Sequence, residues 1–392
     1  MIQIGMVAGE PSGDLLAGRI MQGIHALEPQ AHFSGIGGPY MQAEGLETWY
    51  SMDTLSVFGY TDVFRALPKI LRTYYGSAGR WQAQPPDVFV GIDAPDFNLR
   101  LEAKLHKRGI PTVQFVGPSI WAWRYERIHK IRQAVSHMLV LFPFEVPIYE
   151  KEGIPVTCVG HPLAQNIPLV PNKAAARQRL GLAENAKVLA LLPGSRRSEI
   201  ALLAPRFLQT VQRLQQAHPD LQIVVPMVNA QREKEFRALL SQYPVSHLHL
   251  LSTTTHQVRT QPVAWEAMEA ADALLVASGT ATLEAMLFKR PMVISYVLSP
   301  WMRRLMAWQS GLSRPLTPWV GLPNILAQDF VVPELLQDEA TPEKLMKATE
   351  KALFDQAWAD QVAERFVQLH QSLCLDTPRL AAEKIVELAH GR

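Results

Sequence analysis

The stretch LLPGSRRSEI, Leu191–Ile200, decides how this chain is read. An apolar run ends in Pro193 and Gly194, two arginines follow, and Ser198 and Glu199 are residue types that open a helix. A strand passing through a glycine turn into a helix builds an anion site, because unpaired N–H groups and the helix dipole face the turn. The lysine of a Gly-x-x-x-x-Gly-Lys-Ser/Thr loop is missing, so a P-loop nucleotide hydrolase is excluded.

Outward from this stretch, short apolar runs alternate with helical patterns. Candidate strands are IQIGMVA from Ile2, DVFVGI from Asp87, TVQFV from Thr112 and HMLVLF from His137, then KVLALL from Lys187, LQIVVPM from Leu221, DALLVA from Asp272 and PMVISYV from Pro291. Continuous apolar runs suit parallel strands buried on both faces. Between the first two, Leu16, Ile20, Ile24 and Leu27 recur at helical spacing, with Ser12 or Asp14 placed as the cap. Prolines 162, 168 and 171 interrupt the pattern, which puts a hinge at 161–172. The expected fold is α/β, with two Rossmann-like parallel-sheet domains, 1–165 and 166–364, facing each other across a cleft and taking ligands at the carboxyl ends of their strands. After Pro342 the chain reads as mostly helical.

The 392 residues are 48% hydrophobic and 19% charged, which excludes a disordered chain. A net charge of +2 gives no basis for bulk nucleic-acid binding. The two cysteines, Cys158 and Cys374, are far apart, and there is no Cys-x-x-Cys or His-Glu-x-x-His, so no disulfide framework, metal site or cofactor is expected. MIQIGMVAG reads as a first strand and not a signal peptide. No apolar run approaches membrane-spanning length, so the expectation is a cytoplasmic protein, with attachment to a membrane surface left open.

Four strand ends carry candidate chemistry. AGEPSGD, Ala8–Asp14, sets Ser12 between two glycines at a helix start, while Glu10 and Asp14 make the turn better suited to a neutral hydroxylated ligand than to phosphate. In GIDAPDFN, Asp93 and Asp96 follow a buried strand. Either carboxylate can take a proton from an attacking hydroxyl or cap the next helix, and Pro95 is expected to bar regular helix at the turn. In the opening stretch Arg196 is the better phosphate ligand and Arg197 the more solvent-facing one. In ASGTATLEAM, Ser278, Gly279 and Thr280 offer hydroxyls and N–H groups to a diphosphate, and Glu284, one turn on, offers a carboxylate to a ribose diol. Together the last two turns read as a nucleoside diphosphate site. GIGGPY lacks the third glycine of a dinucleotide fingerprint, and no Gly-x-Ser-x-Gly is present.

Two stretches mix basic and apolar residues as membrane-interface helices do. One sets Arg65, Lys69 and Arg72 among Leu67, Ile70, Leu71 and Tyr74; the other sets Arg303 and Arg304 between Trp301 and Trp308.

GEPSGD, GIDAPDFN, PSIWAWR from Pro118, GHPL from Gly160, LLPGSRRSE, ASGTATLE and LPN, Leu322–Asn324, stand in one order along nearly the whole chain. In that order they resemble the lipid-A-disaccharide synthase family. The resemblance implies an inverting, metal-independent glycosyltransferase of the GT-B class. Its substrates would be UDP-2,3-diacylglucosamine and 2,3-diacylglucosamine 1-phosphate, its products a β-1′,6-linked disaccharide phosphate and UDP. It would work peripherally on the cytoplasmic face of an inner membrane, in lipid A biosynthesis.

Carried over, Ser12 belongs to the acceptor-side turn, Asp93 is the candidate catalytic base and Arg196 the diphosphate arginine. Asn324 stands where the family has a polar residue near the nucleotide. Glu284 as ribose ligand is borrowed from related nucleotide-sugar transferases. Asp96, Glu10 and His161 are reserve bases. A GT-B chain returns its last helix, here from about 365, to the N-terminal domain, and exchange of that helix between copies would give a homodimer. Pro11 replaces a common alanine, Gly117 a usual serine, and the segment from Ser252 is longer than its counterpart. A UDP-sugar 2-epimerase, or another UDP-sugar transferase of the same fold, is the rival reading.

Overall fold

A computed structural model of the chain describes residues 1–55, 60–252, 261–304 and 316–391, with side chains in the helix that begins at Tyr60 described from Leu67 onward. The chain divides into two compact units, Met1–Gln165 together with Leu373–Arg392, and Asn166–Ser372.

The first unit holds β1 (Gln3–Ala8), β2 (His32–Gly37), β3 (Leu46–Ser51), β4 (Val88–Ile92), β5 (Thr112–Phe115), β6 (His137–Val140) and β7 (Val156–Cys158). They form one sheet in the order β3-β2-β1-β4-β5-β6-β7, every pair parallel. The second unit holds β8 (Val188–Leu192), β9 (Gln222–Pro226), β10 (Leu248–Leu251), β11 (Ala273–Ala277), β12 (Met292–Tyr296) and β13 (Glu334–Leu336), ordered β10-β9-β8-β11-β12-β13 and again all parallel.

The eight strands read from the sequence include the wholly buried ones, such as β4, β8 and β11. Those not read are β2, β3, β7, β10 and β13. Four of these five lie at sheet edges, where half-burial replaces the continuous apolar run. β2 is internal, but its sequence HFSGIG carries two glycines and a serine and gives no strand signal.

In each sheet the order reverses at one place. β1 is flanked by β2 and β4, and β8 by β9 and β11. At such a switch point the following segments leave on opposite faces and open a crevice beyond the carboxyl ends of the two strands. Ala8 pairs with Ile92 and Leu192 with Val276, so the turns after β1 and β4 are neighbours, as are those after β8 and β11.

Two local expectations are corrected. Neither Ser12 nor Asp14 caps α1 (Pro11–Leu27): Glu10 holds the N-cap position without a side-chain bond, and Pro11 takes the first helical position, where no N–H is needed. Asp14 is fully buried and accepts from the N–H groups of Gly38 (2.8 Å), Tyr40 (3.0 Å) and Met41 (3.1 Å). It therefore caps α2 (Pro39–Ala43) from a distance in sequence that no local rule detects. Pro95, expected to hold the helix off, is itself the first residue of α4 (Pro95–His106), and α3 spans Tyr60–Ala83.

The chain's last helix, Thr377–Ala389, lies against α1. Ala381, Ala382 and Ile385 join Ile20 and Ile24 in one buried cluster. His390 meets Glu28 at 2.8 Å.

Candidate active site

The first switch point is built around Asp93. Its backbone has φ +51°, a left-handed conformation that is uncommon for a residue other than glycine. Its N–H donates to the Phe115 carbonyl (3.0 Å). The carboxylate lies over the first turn of α1, so close that a methyl placed on Gly13 would stand 2.8 Å from Oδ2. Burial, with the Glu10 carboxylate adding to it, raises its pKa to about 6. Ser12 is exposed in the same turn. The structure thus brings Glu10, Ser12 and Asp93 together.

It does not bring in Asp96, which is exposed and paired with Arg127. His161 is held elsewhere in the unit. Its ring stacks on Phe142 with centroids 5.6 Å apart, its Nδ1 accepts from the Leu163 N–H (3.2 Å), and burial lowers its pKa to about 4. The sequence reading missed the row to which it belongs. Phe142 stacks on Phe144 at 5.7 Å, and Trp121 meets Phe144 edge-on at 5.3 Å. The signal was present in HMLVLFPF and PSIWAWR, but a strand pattern does not announce aromatic contacts beyond its end.

In the second unit, Gly194 (φ +110°) turns the chain after β8, and a side chain there would collide with Glu199. Glu199 accepts from the N–H groups of Ser195 (2.9 Å) and Arg196 (3.1 Å), so two donors of the turn are already spent on a carboxylate. Arg196 precedes the helix Arg197–Ala217, and its side chain is 78% exposed with only a loose 3.9 Å approach to Glu199. The side chain, more than the backbone of the turn, is what remains for an anion. Arg197 is exposed, as expected. Tyr296, at the end of β12, was not singled out from the sequence. Burial and Glu199 raise its pKa while Arg196 opposes.

After β11, Ser278 is less available than expected. Its N–H donates to Ser295 (3.0 Å) and its hydroxyl to the Val320 carbonyl (3.4 Å). Gly279 and Thr280 are exposed at the start of the helix Thr280–Leu287, and among the described residues a methyl on Gly279 would meet open space beyond its own chain neighbours. Glu284 is half-buried, its pKa raised by burial against an opposing Trp265 hydrogen bond. Asn324 is fully buried. Its Nδ2 donates to Val332 and to Glu334 (both 2.8 Å), and its Oδ1 accepts from Val332 (3.0 Å). Glu334 in turn accepts from the Val320 and Gly321 N–H groups. The Asn324 amide is thus engaged in shaping the loop between Val320 and Glu334.

Lys69 and Arg72 are exposed on α3, beside a stripe of Leu67 (42% exposed), Leu71 (41%) and Tyr75 (63%) at four-residue spacing. Trp301 is 66% exposed, with Arg303 and Arg304 beside it. The Arg65 side chain, Trp308 and most of the segment from Ser252 lie outside the described residues. Among the described residues, no helix is long and apolar enough to cross a membrane.

Two parallel α/β units with these turns place the chain in the GT-B fold class. Solved structures agree. A UDP-GlcNAc 2-epimerase from Neisseria meningitidis, bound to UDP-GlcNAc, matches with a TM-score of 0.57 at 12% identity over all of both chains. WaaG, a glycosyltransferase involved in lipopolysaccharide biosynthesis, matches with 0.57 at 16% identity over 98% of this chain and 99% of its own. Such identities carry the fold alone, and that fold serves both activities.

Sequence comparison separates them. The family model described as lipid-A-disaccharide synthetase matches residues 4–385. Proteins named lipid-A-disaccharide synthase from Bordetella petrii and Aromatoleum aromaticum are 64% and 48% identical to this chain, covering 100% and 98% of it and 99% and 95% of themselves. The chain belongs to the lipid-A-disaccharide synthase family, whose members are glycosyltransferases.

The raised pKa of Asp93 has a consequence for stability. Between the ordinary aspartate value near 4 and about 6, the folded state binds more protons than the unfolded chain. The stability contributed by the protonated carboxyl is therefore lost as pH rises through about 6. Asp93→Asn removes the buried charge, so its thermal midpoint should exceed that of the wild-type protein by more at pH 8 than at pH 5. A gap of equal size at both pH values would contradict the raised pKa.

Proposed function

We propose that this chain moves the 2,3-diacylglucosaminyl group of UDP-2,3-diacylglucosamine onto the 6-hydroxyl of 2,3-diacylglucosamine 1-phosphate. The first unit would take the acceptor and the second the UDP-sugar. The acceptor oxygen bonds to the anomeric carbon as the bond from that carbon to the β-phosphate oxygen breaks. The bonding pair leaves with UDP, and the hydroxyl proton passes to the Asp93 carboxylate. One in-line displacement inverts the anomeric centre, from α in the donor to β in the product.

The observation that carries this reading is a raised-pKa carboxylate at one switch point with an exposed arginine at the other. A base with a pKa near the working pH combines a useful ionised fraction with real basicity. Negative charge grows on the departing phosphate oxygen, and Arg196, with donors at Gly279 and Thr280, is suited to stabilise it. No P-loop lysine is needed, because no bond to phosphorus is broken. The family named by the comparisons supports the substrates, and their acyl chains support work at a membrane surface. Each CH₂ held in a bilayer contributes roughly 0.8 kcal/mol, so neither substrate leaves it readily. The exposed stripe of α3 and the residues around Trp301 are the proposed contacts with the inner face of the membrane.

An endpoint assay by mass spectrometry, with detergent, both substrates and excess EDTA, tests the reaction. The tetraacyl disaccharide phosphate and UDP should appear in equal amounts. Arg196→Ala should lower kcat by about 10²–10³, the cost of removing one such charge-stabilising donor. Interconversion of soluble UDP-sugars in place of disaccharide would favour the epimerase reading, and loss of activity in EDTA would overturn metal independence.

Vesicles of phosphatidylglycerol and phosphatidylethanolamine test the surface contact. Wild-type protein should co-sediment with them at low salt and be released as salt rises. Lys69→Ala with Arg72→Ala, or Leu67→Glu with Leu71→Glu, should weaken binding, whereas unchanged binding in both variants would remove α3 from the account.

A further inference from the structure

Behind Asp93 lies a polar compartment that the transfer step does not use. Gln114, buried on β5, donates from Nε2 to the carbonyls of Asp93 (3.2 Å), Phe115 (3.1 Å) and Val116 (3.0 Å). Asn98, buried on α4, donates from Nδ2 to the carbonyls of Asp93 (2.9 Å) and Ile92 (3.3 Å). The Asp93 carbonyl is thus held by two amides. Three residues here are left-handed without being glycine: Asp93 (φ +51°), Ala94 (+38°) and Val116 (+62°). Such backbone persists only where its surroundings over-determine it.

Glu102 stands one turn beyond Asn98 and is fully buried. Among the described residues, both its carboxyl oxygens, the Asn98 Oδ1 and the Gln114 Oε1 have no hydrogen-bond partner. Gly91 makes room for the group, since a side chain there would collide with Glu102 and stand 2.8 Å from the Asn98 Cβ.

We infer that Gln114 and Asn98 are positioning residues that grip the Asp93 carbonyl and so keep its carboxylate over the first turn of α1, with Glu102 packed behind them to orient their amides. Burial raises the Glu102 pKa and so favours the un-ionised form, whose O–H can donate as an amide oxygen cannot. An amide flipped by half a turn would point its oxygen at the Asp93 carbonyl and release the turn. The inference rests on the reading of Asp93 as the base.

Gln114→Glu keeps the shape and replaces the NH₂ with oxygen. Its kcat should fall about tenfold or more while KM for both substrates stays within about twofold, the pattern of a group acting only in the transition state. Glu102→Ala should lower kcat in the same way, and Glu102→Gln, neutral and of the same size, should restore it. If Gln114→Glu does not fold, Asn98→Asp removes the other donor and carries the same expectation.

A folded Gln114→Glu or Asn98→Asp enzyme with wild-type kcat overturns the positioning role, and a Glu102→Gln enzyme no better than Glu102→Ala overturns that of Glu102. Asp93→Asn is measured alongside. If it is fully active, the base assignment fails and this inference with it; if it is inactive while Gln114→Glu is normal, only the inference fails.

Discussion

Parallel pairing constrains everything else in this chain. A parallel strand needs a crossover to reach its neighbour, and the crossovers cover both faces of the sheet. Strands such as β4, β8 and β11 are consequently buried along their whole length and can carry no chemistry themselves. Polar function is pushed to the strand ends, and the switch points at β1/β4 and β8/β11 select which ends. Gly9–Asp14 and Asp93–Asp96 follow one pair of strands, Pro193–Glu199 and Ser278–Thr280 the other.

The two crevices differ in charge, and the difference matches the two halves of the proposed reaction. The first is acidic: burial raises the Asp93 pKa and the Glu10 carboxylate adds to it. Such a place suits a neutral hydroxyl and repels a diphosphate. In the second, Glu199 consumes two backbone donors and leaves Arg196 extended into solvent. A guanidinium held by its backbone, with little to pair it, is a fit partner for charge that appears only as a bond breaks.

Much of this was legible in the sequence because it is local. Continuous apolar runs marked the central strands, and the glycine turns marked where they end. Asp93 and Arg196 stood out as charged residues directly after buried strands. What stayed hidden depends on residues brought from far along the chain. Asp14 reads as a cap for its own helix but serves α2, and the bonds of Asn324 to Val332 and Glu334 have no signal in LPN. Ser278 loses its hydroxyl to Val320 for the same reason. The grip on Asp93 needed β5 and α4 placed side by side, and nothing in the spacing of Asn98, Glu102 and Gln114 announces it.

The central claim is a single in-line displacement at the anomeric carbon, with a base in one unit and a charge-stabilising arginine in the other. The anomeric configuration of the new linkage tests it most directly, read by proton NMR of the purified disaccharide made from the α-linked UDP-sugar. A β linkage is the predicted result. An α linkage would mean retention, and would contradict the account of Asp93 as a base acting in one displacement.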